Sequence, residues 1–241
     1  MRKEPFVVGN YVHVLNRGAK KMPITRNARD QWRFLKILCH LNDSFISEHW
    51  EDELDKNVEL GASLFDRPPE WREKEPLVAI LAYTLMPNHF HLILKEIDEG
   101  GVSRFMQKLG NSMTGHFNLK YKESGGLFQG SYKAKCIGED NYFRYLAMYV
   151  MVKNVFELYP GGLERAAREF DRAYVWASEY RFSSFADYAS AQVKPAQKIL
   201  EKDLLGEMFS TPAEFKSFVR EFMIGRKFED PAVLALSLES E

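Results

Sequence analysis

The sequence predicts an α+β fold: a ferredoxin-like four-stranded antiparallel sheet with helices on one face, an extra tyrosine-bearing helix and a C-terminal helical extension. Three observations carry this. Hydrophobic periods run in the order strand, helix, strand, strand, helix, strand, helix. A hairpin is written around Met86-Pro87-Asn88, between a nearly all-apolar run at 77–85 and the alternating run that begins His89-Phe90-His91. The glycine pairs at 100–101 and 125–126 open and close the second long helical stretch. The first six segments match the split βαβ order, and the seventh, a helix, is left to cross the open sheet face.

Each segment has its local reason. Residues 10–16 alternate, with Val12 and Val14 on one face and Tyr11, His13 and Leu15 on the other. Asn27 caps a helix whose first turn holds Asp30, and Trp32, Leu35, Leu38 and Cys39 follow a helical stripe. Residues 43–75 break the pattern: acidic, with Gly61 and Pro68-Pro69, they read as an irregular excursion containing a short helix. Val102, Phe105, Leu109, Met113 and Phe117 keep helical spacing. Residues 127–137 read as the fourth strand and 141–158 as a third core helix, begun by Gly138-Glu139-Asp140. In the tail, Thr211-Pro212-Ala213-Glu214 is a capping box with proline in the first helical position. This divides the chain into residues 1–160, with 43–76 inserted, and a helical extension at 161–241.

With 241 residues, 45% of them hydrophobic, the chain can bury a full core. Its net charge of −1 excludes a polycation. Yet residues 11–36 carry Arg17, Lys20, Lys21, Arg26, Arg29, Arg33 and Lys36 against Asp30 alone, and residues 101–137 carry six basic residues against Glu123. Such segregation makes a local positive field that suits a polyanion, although one basic helix face is more often merely solvated. Cys39 and Cys136 form no Cys-x-x-Cys spacing, which excludes a zinc ribbon or a disulfide framework and fits the reducing cytosol. The opening Met1-Arg2-Lys3-Glu4-Pro5 leads toward a strand rather than a signal peptide, and no apolar run reaches membrane-spanning length. A cytoplasmic, nucleoid-associated location is expected, with no membrane partner.

The chemistry centres on the hairpin. His89 and His91, two apart on a strand, point to one face while Phe90, Leu92 and Leu94 point to the other. They make a two-ligand metal site or, as often happens with such pairs, a half-buried polar stripe. The helix that follows offers Tyr142, Tyr145 and Tyr149, and Tyr149 shares a face with Lys153 at i+4. A metal on the histidines and a phenol on a crossing helix together suit attack on a phosphodiester through a covalent intermediate. Without the metal, three helical tyrosines are more often packing residues.

Taken in order, Tyr11-Val12-His13-Val14-Leu15-Asn16-Arg17-Gly18, Met86-Pro87-Asn88-His89-Phe90-His91, Gly125-Gly126-Leu127-Phe128-Gln129-Gly130 and Tyr149-Val150-Met151-Val152-Lys153-Asn154-Val155 resemble the single-tyrosine HUH transposases. Among these the sequence is most similar to the REP-associated tyrosine transposases, over about residues 8–160, and Phe182-Ser183-Ser184-Phe185 is similar to that subgroup's tail. The resemblance implies cleavage and rejoining of single-stranded DNA at hairpin-associated sites. Tyr149 would take up the 5′-phosphate, and Mg²⁺ or Mn²⁺ would sit on His89 and His91. Arg17, Arg29, Arg33, Lys108, Lys133 and Lys135 would hold the DNA backbone. It implies single-stranded or hairpin DNA as partner and a monomer or homodimer. The family's third ligand is an amide four residues after the tyrosine. Here Lys153 stands there, with Asn154 one residue late, and one residue turns an α-helix by about 100°. On that reckoning Asn154 does not replace the ligand, and Lys153 contacts the scissile phosphate or acidifies Tyr149 instead. Two alternatives stay open: a domesticated, non-cleaving hairpin-binding protein, and an unrelated His-x-His hydrolase with a water nucleophile.

Overall fold

An apolar run followed by an alternating one does produce a hairpin, and its second strand lies in the middle of the sheet. The structure, a computed structural model, describes residues 6–138, 140–192, 195–236 and 238. Met1 through Pro5, read as leading into the first strand, and Glu139, read at the start of the third helix, lie outside the described residues. The strands are β1 (Tyr11–Arg17), β2 (Val78–Leu85), β3 (His89–Glu96) and β4 (Lys133–Ile137), in the order β2-β3-β1-β4, with every neighbour antiparallel. This is the ferredoxin-like arrangement the element order predicts. Helices α1 (Ala28–His40) and α3 (Gly101–Tyr121) cover one face. There Phe34 and Leu38 of α1 and Phe105 and Leu109 of α3 share a core with Val12, Val14, Phe90, Leu92 and Leu94 of the sheet. Each such buried side chain contributes about 1.5–3 kcal/mol relative to exposure.

The other face is crossed by α4 (Asp140–Met148), a π turn (Tyr149–Lys153) and α5 (Asn154–Glu157). The sequence predicts one continuous helix here. The π turn is the difference, and its consequence belongs to the site below. Leu146, Val150 and Phe156 pack with Ile93 and Ala82, and with Phe185, Phe215 and Phe222 of the tail. A bulge in β2 between Ile80 and Ala82 lets Leu81 and Ala82 both join this cluster, while Tyr83 returns to the opposite core.

The fourth strand is shorter than predicted. Residues 127–129 turn back on the loop after β1, with Ala19 N–H donating to Leu127 O (2.9 Å) and Gln129 N–H to Arg17 O (2.9 Å). The acidic insertion contains α2 (Trp50–Glu59), as its composition suggests. It is moored to α1 by a Lys36–Asp55 ion pair of 2.9 Å and by Arg33 on Glu51. In the tail lie α6 (Gly162–Arg168), α7 (Phe170–Glu179), α8 (Phe185–Ala189), α9 (Asp203–Met208), α10 (Pro212–Ile224) and α11 (Pro231–Leu236). The capping box at Thr211 is formed as read. Between α7 and α8 the chain pairs with the outer edge of β2, through Leu85 N–H to Phe182 O and Ser184 N–H to Tyr83 O, both 2.9 Å. An edge strand that would otherwise expose its ladder groups is thereby closed. Among the described residues no helix is long and apolar enough to cross a membrane.

Asp30 ties α1 to α3. Burial raises its pKa, but this is outweighed by hydrogen bonds from Lys120, from the Tyr121 hydroxyl (2.6 Å) and from the Arg26 N–H (2.8 Å), which bring it down to about 2. A carboxylate depressed on folding adds stability above its unfolded pKa of about 3.9 and loses it as pH falls through the folded value. Urea unfolding at pH 5 and pH 2.5 is expected to show a fall in stability that is smaller by about 2 kcal/mol in Asp30→Asn than in the wild type.

Candidate functional site

Strand register settles which side chains meet. Leu15 pairs with His91 and Arg17 with His89, and Thr84 of β2 stands opposite His91 on the other side. Directly paired residues share a face. The two histidines therefore lie on the side crossed by Tyr149, the arrangement the candidate chemistry needs. The His91 and Tyr149 rings are 6.1 Å apart at 72°, and His89 and His91 are 5.1 Å apart at 79°. Both histidines and the tyrosine are buried.

The hydrogen bonds of the imidazoles fix which nitrogen faces the site. Nδ1 of His89 lies 2.6 Å from Asn88 Oδ1, an acceptor, so Nδ1 donates there and a lone pair for a cation would have to come from Nε2. Nδ1 of His91 lies 2.9 Å from Nε2 of His13, and those rings stack at 11°. For Nε2 of His91 to bind a cation, its Nδ1–H donates to His13, whose own proton then sits on Nδ1. His13 is thus the partner that orients His91. The sequence places His13 on one face of the first strand but does not show its partner, which only the β1–β3 register supplies.

The π turn changes the meaning of the Lys153-Asn154 pair. In an α-helix the N–H of Asn154 would bond to Val150; here it bonds to Tyr149 O, five residues back. The turn therefore holds one extra residue, and Asn154 takes the place over Tyr149 that the fourth residue would hold in an α-helix. The 100° argument against Asn154 assumed a regular α-helix and does not apply. The carbonyl of Val150, relieved of Asn154, accepts from Thr84 Oγ1 at 2.8 Å. Ser183 Oγ lies 2.9 Å from Thr84 Oγ1 and donates to it, so the tail supports the turn through β2. Asn154 is fully buried, and neither its amide oxygen nor its amide nitrogen has a hydrogen-bond partner among the described residues. Buried amides are nearly always bonded, so a buried amide without a protein partner is notable. Among the described residues no three of His, Cys, Asp and Glu gather as a metal-binding group. Of the other donor types, the buried Asn154 amide carries an oxygen able to bind a cation.

Lys153 takes the outward place. Its Nζ is 2.8 Å from Glu157 and 5.0 Å from the centroid of the Tyr149 ring. The basic candidates divide by placement. Arg29 and Lys135 are exposed, and Arg17 and Lys133 are half-buried on the histidine face. Arg33 is turned inward, 11% exposed, paired with Glu51 and donating to Ser112 Oγ at 3.0 Å. Burial brings its pKa down to about 10, against the opposing pull of Asp55 and Asp30. Lys108 donates to Asp43 O at 2.5 Å, and burial lowers its pKa too. These two side chains hold the insertion in place.

Residues 72–153 match the protein-family model described as "Transposase IS200 like". The matched stretch contains His89, His91, Tyr149 and Lys153, and it bears out the resemblance read from the motifs. No curated protein matches the chain. A solved structure described as "Structure of the REP associates tyrosine transposase bound to a REP hairpin" aligns with 81% of this chain and 88% of that one, at 15% identity and a TM-score of 0.46.

Proposed function

We propose, from IS200-like transposase sequence at residues 72–153 and the side chains it brings together, that this protein cleaves and rejoins single-stranded DNA beside hairpins. The observation that carries the reading is a buried tyrosine ring 6.1 Å from a strand histidine on one sheet face. Oη of Tyr149 attacks the scissile phosphorus. The new bond is a phosphotyrosine, the bond to the 3′ oxygen breaks, and the phenol proton ends on the released 3′-hydroxyl. Reversal with a different 3′-hydroxyl rejoins the strand.

His89, His91 and Asn154 would hold a divalent cation, which when bound polarises the scissile phosphate and offsets its developing charge. Two imidazoles and an amide suit Mn²⁺ better than Mg²⁺, which favours an all-oxygen set. His13 holds His91 in the required tautomer, and Thr84 keeps the π turn against the strand. Lys153, engaged with Glu157, shields the outer face of the Tyr149 ring. Arg17, Arg29, Lys133 and Lys135 would contact DNA phosphates, so that affinity falls steeply with salt. Arg33 and Lys108 would act indirectly, by fixing the insertion.

The test is incubation of the protein with single-stranded DNA from the flanks of its own gene. A covalent adduct that resists denaturing electrophoresis is expected with Mn²⁺, less with Mg²⁺ and none with EDTA. Hairpin binding without scission in any divalent metal would favour the domesticated, non-cleaving reading instead.

A further inference from the structure

Three segments outside the matched stretch build a second recess. Trp32 of α1, Phe65 of the insertion, and Glu179, Arg181 and Asp187 of the tail line a cavity of about 740 Å³ against Tyr83 of β2. That volume falls within the range of small-ligand pockets. The Trp32 indole is half-buried and steadied by Phe182 edge-on at 5.4 Å and Phe65 at 6.4 Å. The exposed Arg181 guanidinium lies 6.0 Å from the indole centroid. Tyr83 is fully buried, and its hydroxyl has no hydrogen-bond partner among the described residues. A flat aromatic surface, a flat cation beside it and a buried hydroxyl make a site for a planar, hydrogen-bonding ring.

We propose that this cavity receives one unpaired nucleobase of the bound strand. The proposal rests on the DNA reading above and adds where sequence next to the hairpin is sensed. Stacking on aromatic side chains is a general way in which proteins hold unpaired bases. Arg181 on the cavity wall and Arg29, exposed and about one turn before Trp32 on α1, are cations available to phosphates flanking an inserted base. The Glu179 carboxylate accepts from an exocyclic amine, which thymine lacks. The cavity wall also reaches the proposed nucleophile: Ser183 lines it and bonds to Thr84, which bonds to Val150 beside Tyr149. An occupied cavity would brace the π turn through that chain.

The experiment uses full-length protein and oligonucleotides from the gene's flanks, hairpin included, with each unpaired nucleotide replaced in turn by an abasic residue. Binding is read by fluorescence anisotropy. One abasic position is expected to weaken wild-type binding about tenfold. That position should be silent in Trp32→Leu and regain its effect in Trp32→Phe. Arg181→Ala, at an exposed residue, should blunt the same position and serves if Trp32→Leu does not fold. An abasic profile in these variants equal to that of the wild type, or a wild-type profile with no sensitive position, overturns the cavity proposal while leaving DNA cleavage intact. Failure of the wild type to bind any of the oligonucleotides would end both readings.

Discussion

Tyr149→Phe is expected to abolish the covalent protein–DNA adduct, lowering its yield by about 10⁴-fold or more, the scale on which removing a nucleophile acts. The substitution deletes one hydroxyl. The ring keeps its contacts with His91 and its place in the core over β3, so the fold and hairpin affinity should be preserved. That separation makes the result decisive. In the hydrolase alternative, water attacks and Tyr149 is only packing, so Tyr149→Phe would cleave at nearly the wild-type rate and no adduct would form with either protein. In the cleaving reading, the wild type gives an adduct with Mn²⁺, and the variant binds the same hairpin to no effect. The same gel run with Tyr142→Phe and Tyr145→Phe checks the choice of tyrosine. Tyr142 is 42% exposed and Tyr145 packs at the margin of the tail core, and both variants should keep the adduct.

How much of this was legible beforehand depends on how local each feature is. The face shared by His89 and His91 follows from a period of two and needs no partner. The sheet order follows from the sequence of elements and the rules for antiparallel connections. The pairing of His13 with His91 joins residues 78 apart, and a shift of one in register would have sent the ring to the opposite core. The π turn was hidden for a related reason. An extra residue in a helix leaves carbonyls short of donors, and whether the chain tolerates this depends on what stands opposite. Here it is the Thr84 hydroxyl, supported by Ser183 from the tail. Charge was legible, but its direction was not: Arg33 and Lys108, read as DNA contacts, are engaged by Glu51 and by the carbonyl of Asp43. Trp32 read as one member of a core stripe, because nothing in α1 alone shows that the insertion and the tail leave a cavity beside it.

Asn154→Leu should move stability and activity in opposite directions, and this separates a ligand from a structural residue. Leucine is close to asparagine in shape and carries no polar atoms. If Asn154 were a packing residue held by hydrogen bonds, the substitution would break them and destabilise the protein. Its amide has no hydrogen-bond partner among the described residues, so leucine instead relieves the cost of burying an unsatisfied polar group, about 1–3 kcal/mol. For a chain of this length, that corresponds to a rise in Tm of about 2–10 °C in metal-free buffer. On the proposed reading an amide ligand is lost as well, and adduct formation at limiting Mn²⁺ should fall about 10–100-fold, with partial recovery at high Mn²⁺. Lys153→Ala gives the contrast. It removes a partly exposed ion pair to Glu157 and the cover over the Tyr149 ring, so a change of about 1 kcal/mol or less in stability and a small change in Mn²⁺ dependence are expected. If Lys153→Ala shifted the Mn²⁺ requirement while Asn154→Leu left it untouched, the π turn would not be placing a ligand, and the site would have to be rebuilt around the residue at the fourth position. The converse result would show how a one-residue displacement in sequence is absorbed: the helix widens by one residue at Tyr149, and the amide returns to the same side as the two imidazoles.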